Sequence, residues 1–125
     1  MSLRSPLGRV LGYGSAKDGT EHFLSQRISA IALALLGCWF VVEMLLLESM
    51  AYLEVVRFIA EPMNTVLLSL LSVTVAWHSY LGVQVVIEDY VHSAGVKHLT
   101  LIASKFAHAL IAVAAVYAVL RIGLT

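Results

Sequence analysis

Apolar residues run almost unbroken through three stretches of the chain. The first, Ile28 to Leu47, is interrupted only by Glu43 near its far end. The second runs from Thr65 to Ile87, and the third from Leu99 to Leu120 with Lys105 and His108 inside it. Each approaches the roughly 20 mostly apolar residues that cross a bilayer. Hydrocarbon offers no partner to an unpaired backbone amide, so each is expected to be an α-helix. Between the first two lies ESMAYLEVVRFIAEPMN, residues 48–64. There Tyr52, Val55, Val56 and Ile59 recur at helical spacing among Glu48, Glu54, Arg57 and Glu61, which predicts a short amphipathic helix lying on the membrane surface. Pro62 suits the first turn of the second span. In the polar tail, 1–27, Asp18 and Glu21 have capping-box spacing, so a helix is expected to begin near Gly19 and run into the first span. Residues 88–98 join the second and third spans, with Gly95 as a helix stop. The pattern predicts an all-α membrane protein: one membrane domain with helices over 28–47, 65–87 and 99–120.

Composition agrees. Of 125 residues 60% are apolar and 13% charged, and mean hydropathy is +0.89; soluble domains are about half apolar and about a quarter charged. Zero formal net charge gives no reason to expect nucleic-acid binding. The single cysteine, Cys38, excludes an internal disulfide framework and a cysteine metal cluster, and inside an apolar run it reads as an inert thiol. The first apolar run is longer than a signal-peptide core and follows a stretch containing acids; Ser49-Met50-Ala51 loosely resembles a cleavage site, but Glu48 beside it weakens that reading. The glycines of LGYGSAKDGT follow no apolar strand and fit no phosphate-loop spacing. Six of the eight basic residues (Arg4, Arg9, Lys17, Arg27, Lys97 and Lys105) fall on the tail side, leaving Arg57 and Arg121 opposite. That balance predicts a cytoplasmic N-terminus. The short tail, with its acids, favours a bacterial inner membrane over a mitochondrial one.

The candidate chemistry lies in HSYLGVQVVIEDY, residues 78–90. His78 is about eleven residues from the tail-side end of its span, so roughly 16 Å deep. Ionisable groups at that depth are costly and usually functional. A neutral imidazole there needs either an interhelical hydrogen bond or a metal, and in apolar surroundings with a single cysteine the obvious metal is haem iron. Leu71, Thr74, His78, Gly82, Val85 and Asp89 form one helical stripe, in which Gly82 removes a side chain one turn from the histidine. A flat macrocycle needs such a gap; a packing contact between helices would use it equally well. At the interface, Asp89 and Tyr90 read either as ordinary membrane-edge residues or as a tyrosine hydroxyl presented to a ligand with an acid beside it. Arg27 is either a topology anchor or a fork for a carboxylate such as a haem propionate, with His22 near it. His108 lies at a depth close to that of His78.

The pattern His-x-x-x-Gly-x-x-x-x-x-x-Asp-Tyr, here His78, Gly82, Asp89 and Tyr90, resembles the signature of the smaller hydrophobic membrane-anchor subunit of succinate dehydrogenase. Gly19, Phe23 and Arg27 in GTEHFLSQR are similar to that family's run into its first span. Three helices in a chain of this length fit too, so the resemblance covers nearly the whole sequence. It implies a subunit of succinate:quinone oxidoreductase, respiratory complex II, serving aerobic respiration and the tricarboxylic acid cycle. A flavoprotein subunit with FAD and an iron–sulphur subunit with its clusters would oxidise succinate and pass electrons on. This chain and a second membrane anchor would share one haem b and complete a site for ubiquinone. Carried over, His78 is an axial ligand to the haem iron, with the other histidine on the partner anchor. Tyr90 donates to a quinone carbonyl, Asp89 supports it, and Arg27 meets a haem propionate or borders the quinone. His22 does not align cleanly; Glu21 competes for its place. The family pattern makes His108 an interhelical histidine and Lys105 a side chain snorkelling to the surface. The rival readings are the anchor of a fumarate reductase, a cofactor-free membrane scaffold, and a stand-alone cytochrome held by His78 and His108.

Overall fold

A computed structural model describes the backbone of residues 16–125 and the side chains of residues 20–125. It is all-α, with no strand among the described residues. Helix α1 spans Ala16–Leu46, α2 Tyr52–Ala60, α3 Pro62–Tyr90 and α4 Ala94–Gly123. Three of them, Thr20–Leu46 within α1, α3 and α4, are long and apolar enough to cross a membrane. Each long helix overruns its apolar stretch. At 29 residues, α3 is about 44 Å long, more than the hydrocarbon of a bilayer needs, so its polar ends reach the interfaces.

Several local expectations meet the structure directly. Tyr52–Ala60 forms the short amphipathic helix. Pro62 sits at the start of α3, where a missing amide hydrogen costs nothing. Gly95 does not stop a helix. Helix α3 ends at Tyr90, Val91 and Ser93 are extended, and Gly95 falls in the first turn of α4. Glycine is a common stop because it tolerates positive φ; here extended backbone turns the chain and no such residue is required. Helix α1 is already formed at Ala16, the first described residue, so Asp18 lies within it and not ahead of it. The tail arginines Arg4 and Arg9 and the glycines of residues 11–14 lie outside the described residues, as does the side chain of Lys17.

The packing is thin. Helix α3 is central: it contacts α1 on one side and α4 on the other, while α1 and α4 do not meet among the described residues. Helix α2 closes the corner where α3 starts and α4 ends. Its Phe58 stacks on Trp39 of α1 with ring centres 6.4 Å apart. Thr65 at that corner is buried and donates to the Ile59 carbonyl at 2.6 Å. A Cβ at Gly123 would overlap the Thr65 side chain, so α4 approaches α3 closely there. Only five described side chains are buried: Ser29, Phe58, Thr65, Ala76 and Leu81. A soluble chain would bury far more; here wide apolar faces of α1 and α4 stay exposed among the described residues.

Candidate functional site

The crossing of α1 and α3 joins two polar residues inside apolar helices. Ser29 Oγ lies 3.0 Å from His78 Nδ1, and the same hydroxyl donates to the Gln26 carbonyl at 3.0 Å. Ser29 is 6% exposed. The other ring nitrogen, Nε2 of His78, has no hydrogen-bond partner among the described residues. The ring lines a surface pocket of about 320 Å³ with Phe23, Gln26, Arg27 and Ala30. The Arg27 guanidinium stands 5.0 Å from the centre of the Phe23 ring, a cation–π contact. It makes no ion pair among the described residues. One turn from His78, a Cβ at Gly82 would meet nothing within 4 Å, so no atom of this chain fills the gap.

Farther along the same face of α1, His22 Nε2 is buried without a partner among the described residues. Buried polar atoms are nearly always bonded, so this nitrogen calls for a partner outside them. A four-residue step from His22 to Gln26 and a seven-residue step from His22 to Ser29 put all three on one side of the helix.

The remaining candidates sit elsewhere. Asp89 and Tyr90 are about 18 Å from His78 along α3, at its last turn, and Tyr90 is 79% exposed. Neither side chain has a hydrogen-bond partner among the described residues; the bonds nearby run from Gln84 to Glu88, from Lys97 to the Glu88 carbonyl, and between His92 and the Tyr90 carbonyl. The structure thus brings Arg27 to His78 and leaves Asp89 and Tyr90 together at the open end of the bundle.

His108, on α4, meets α3 on a different side from the one that faces α1. Its Nδ1 lies 2.8 Å from the Ser104 carbonyl, which can only accept, so that nitrogen carries the proton. Its Nε2 lies 3.2 Å from Ser79 Oγ, which donates to it. Tyr80 meets the ring edge-on at 6.0 Å between ring centres. Both nitrogens are occupied, as an interhelical histidine requires. His108 lines pockets between α3 and α4, and His78 lines none of these. No group of three His, Cys, Asp or Glu side chains gathers to hold a metal ion among the described residues. A metal at His78 would draw its further ligands from a cofactor or another chain.

Ser29 is the residue that sequence patterns did not single out. The available signal was a small hydroxyl within the apolar run of α1, of the type that hydrogen-bonds across membrane helices. Nothing local states which of several serines meets a histidine on another helix.

The chain matches the family described as succinate dehydrogenase/fumarate reductase transmembrane subunit over residues 1–120. It is 33% identical over 117 residues to the succinate dehydrogenase hydrophobic membrane anchor subunit of Rickettsia bellii, covering 94% of each chain. It is 29% identical over 124 residues to the subunit of the same name from Paracoccus denitrificans, covering 99% of this chain and 95% of the relative. The Rickettsia typhi subunit is 34% identical over 92 residues, 73% of each chain.

Proposed function

We propose that this chain, which belongs to the succinate dehydrogenase/fumarate reductase transmembrane subunit family, is the anchor that carries the haem-facing histidine and the quinone-facing tyrosine of a succinate:quinone oxidoreductase. As a family member it is part of an enzyme complex at a membrane. The finer reading rests chiefly on one observation: His78 keeps Nε2 unbonded beside a pocket that also holds Arg27. That arrangement suits an axial ligand whose remaining coordination comes from elsewhere.

The residues present fit a haem b. His78 offers one imidazole nitrogen. Gly82 leaves room for the flat edge of a macrocycle. The Arg27 guanidinium, without an ion pair of its own, matches a propionate. His22 Nε2, one turn before Gln26 on α1, is buried without a partner among the described residues and would take one from outside them. The second axial histidine would come from a partner anchor covering the open faces of the bundle. When bound, the haem would supply a one-electron carrier within the membrane.

The quinone chemistry falls to the end of α3. Reducing ubiquinone takes two electrons and two protons. The Tyr90 hydroxyl would donate to a quinone carbonyl and stabilise the negative charge that grows on that oxygen. Asp89, one residue away at the water interface, would pass protons toward it. FAD and iron–sulphur clusters belong to the flavoprotein and iron–sulphur subunits, which dock where the basic residues of this chain collect. The N-terminus then faces the cytoplasm and the complex lies in a bacterial inner membrane. Those relatives all carry succinate dehydrogenase names, which favours succinate oxidation over fumarate reduction.

The test is the composition of the complex isolated through a tag on this chain in mild detergent. A flavoprotein, an iron–sulphur protein, a second small membrane chain and a b-type absorbance are expected to come with it. Recovery of the chain alone, under conditions that preserve other respiratory complexes, contradicts the proposal.

A further inference from the structure

We propose that Ser29 is the positioning residue that sets the tautomer of His78 and so aims its ligating nitrogen; this rests on the haem reading above. A serine hydroxyl has one proton to give and lone pairs to accept with. The Gln26 carbonyl can only accept, and Ser29 Oγ lies 3.0 Å from it in the three-residue back-bond that serines make within helices. In the proposed arrangement the hydroxyl gives its proton to Gln26. What remains to His78 Nδ1, at 3.0 Å, is a lone pair of the same oxygen. Nδ1 must then carry the ring proton and donate it. A neutral imidazole has one N–H, so Nε2 is left as a bare lone pair beside the pocket shared with Arg27. At 6% exposure Ser29 is shielded from water that would otherwise substitute for it.

The chain from imidazole N–H to hydroxyl to carbonyl does more than hold a ring angle. Each bond polarises the next. An imidazole that donates to a good acceptor is a stronger electron donor through its other nitrogen, and outer-shell partners of this kind tune a bound metal. Ser29 would thus hold the haem potential lower than an unsupported His78 would, acting on the electron carrier from a second helix without touching it.

The experiment compares Ser29→Ala, Ser29→Thr and His78→Ala in the whole complex, reading haem content, the midpoint potential by redox titration, and the electron paramagnetic resonance signal of the ferric haem. Ser29→Ala is expected to keep haem, raise the midpoint potential and shift the resonance. Ser29→Thr, which retains the hydroxyl, is expected to return both to the wild-type values. Should Ser29→Ala lose haem, its recovery in Ser29→Thr supports the proposal, and loss in both variants overturns it in favour of a packing role. Haem retained in Ser29→Ala with unchanged potential and resonance also overturns it. An unaltered haem spectrum in His78→Ala, by contrast, removes the haem reading itself.

Discussion

Two histidines lie at nearly the same depth in this bundle, and their surroundings differ in kind. His78 is about 18 Å from the end of α3, and His108 about 21 Å from the start of α4. Burial cost alone treats them alike. His108 spends both ring nitrogens inside the chain, on Ser104 and Ser79, and is complete as an interhelical bond. His78 spends one, on Ser29, and leaves the other without a partner among the described residues, and it lines a pocket with Arg27, which makes no ion pair among them. Ser79 and His78 are neighbours in sequence, so a rotation of about 100° around α3 separates the side facing α4 from the side facing α1. A membrane histidine is thus assigned by counting what each of its nitrogens already does.

Filling the open side of His78 should break this contrast most severely. Gly82→Leu introduces bulk from a position where an added Cβ meets no atom of this chain within 4 Å. The chain should still insert and join its partners, while most of the haem absorbance of the purified complex is lost. A complex that keeps its full absorbance would show that the gap serves nothing flat. The far end of the same helix should respond independently. Tyr90→Phe removes one donor and should lower quinone reduction by about a hundredfold, the usual cost of losing a hydrogen bond to a developing oxyanion. Succinate oxidation with artificial dyes and the haem spectrum should stay near wild type; equal loss of both activities would assign Tyr90 to assembly.

A smaller effect is expected at Arg27. On the proposed haem reading, Arg27→Gln would leave a propionate without its charged partner, at about 2 kcal/mol, read as weaker haem retention on detergent washing. Unchanged retention would return Arg27 to the role of a topology anchor. The smallest effect belongs to the other histidine. Ser79→Ala removes one bond across α3 and α4, worth about 0.6 kcal/mol in membranes. It should lower the melting temperature of the complex slightly and leave its haem potential in place. A large shift in potential would mean that the two histidines are not as separate as their hydrogen bonds suggest.

Much of this was legible in the sequence, and the exceptions follow one pattern. The three long helices could be read because lipid imposes both length and helicity on any apolar crossing, and the short helix because its apolar positions keep a helical period. The stripe from Leu71 to Asp89 identified His78 and the gap at Gly82. For Arg27 and the Asp89–Tyr90 pair the residues left an ordinary membrane-edge reading beside the functional one, and only the resemblance chose between them. Gly95 was misread because extended backbone at Val91 and Ser93 ends α3 without it. Ser29 escaped because its meaning depends on the register of α1 against α3. That register arises from packing between helices 49 residues apart in the contact it makes, and no local pattern carries it.

The most direct test of the assignment is the reduced-minus-oxidised haem spectrum of the complex carrying His78→Ala, beside that carrying His108→Ala. The account predicts that His78→Ala abolishes or alters the b-type band, and that His108→Ala leaves its position and height unchanged. A wild-type spectrum in His78→Ala, or loss of the band in His108→Ala from a fully assembled complex, would contradict it.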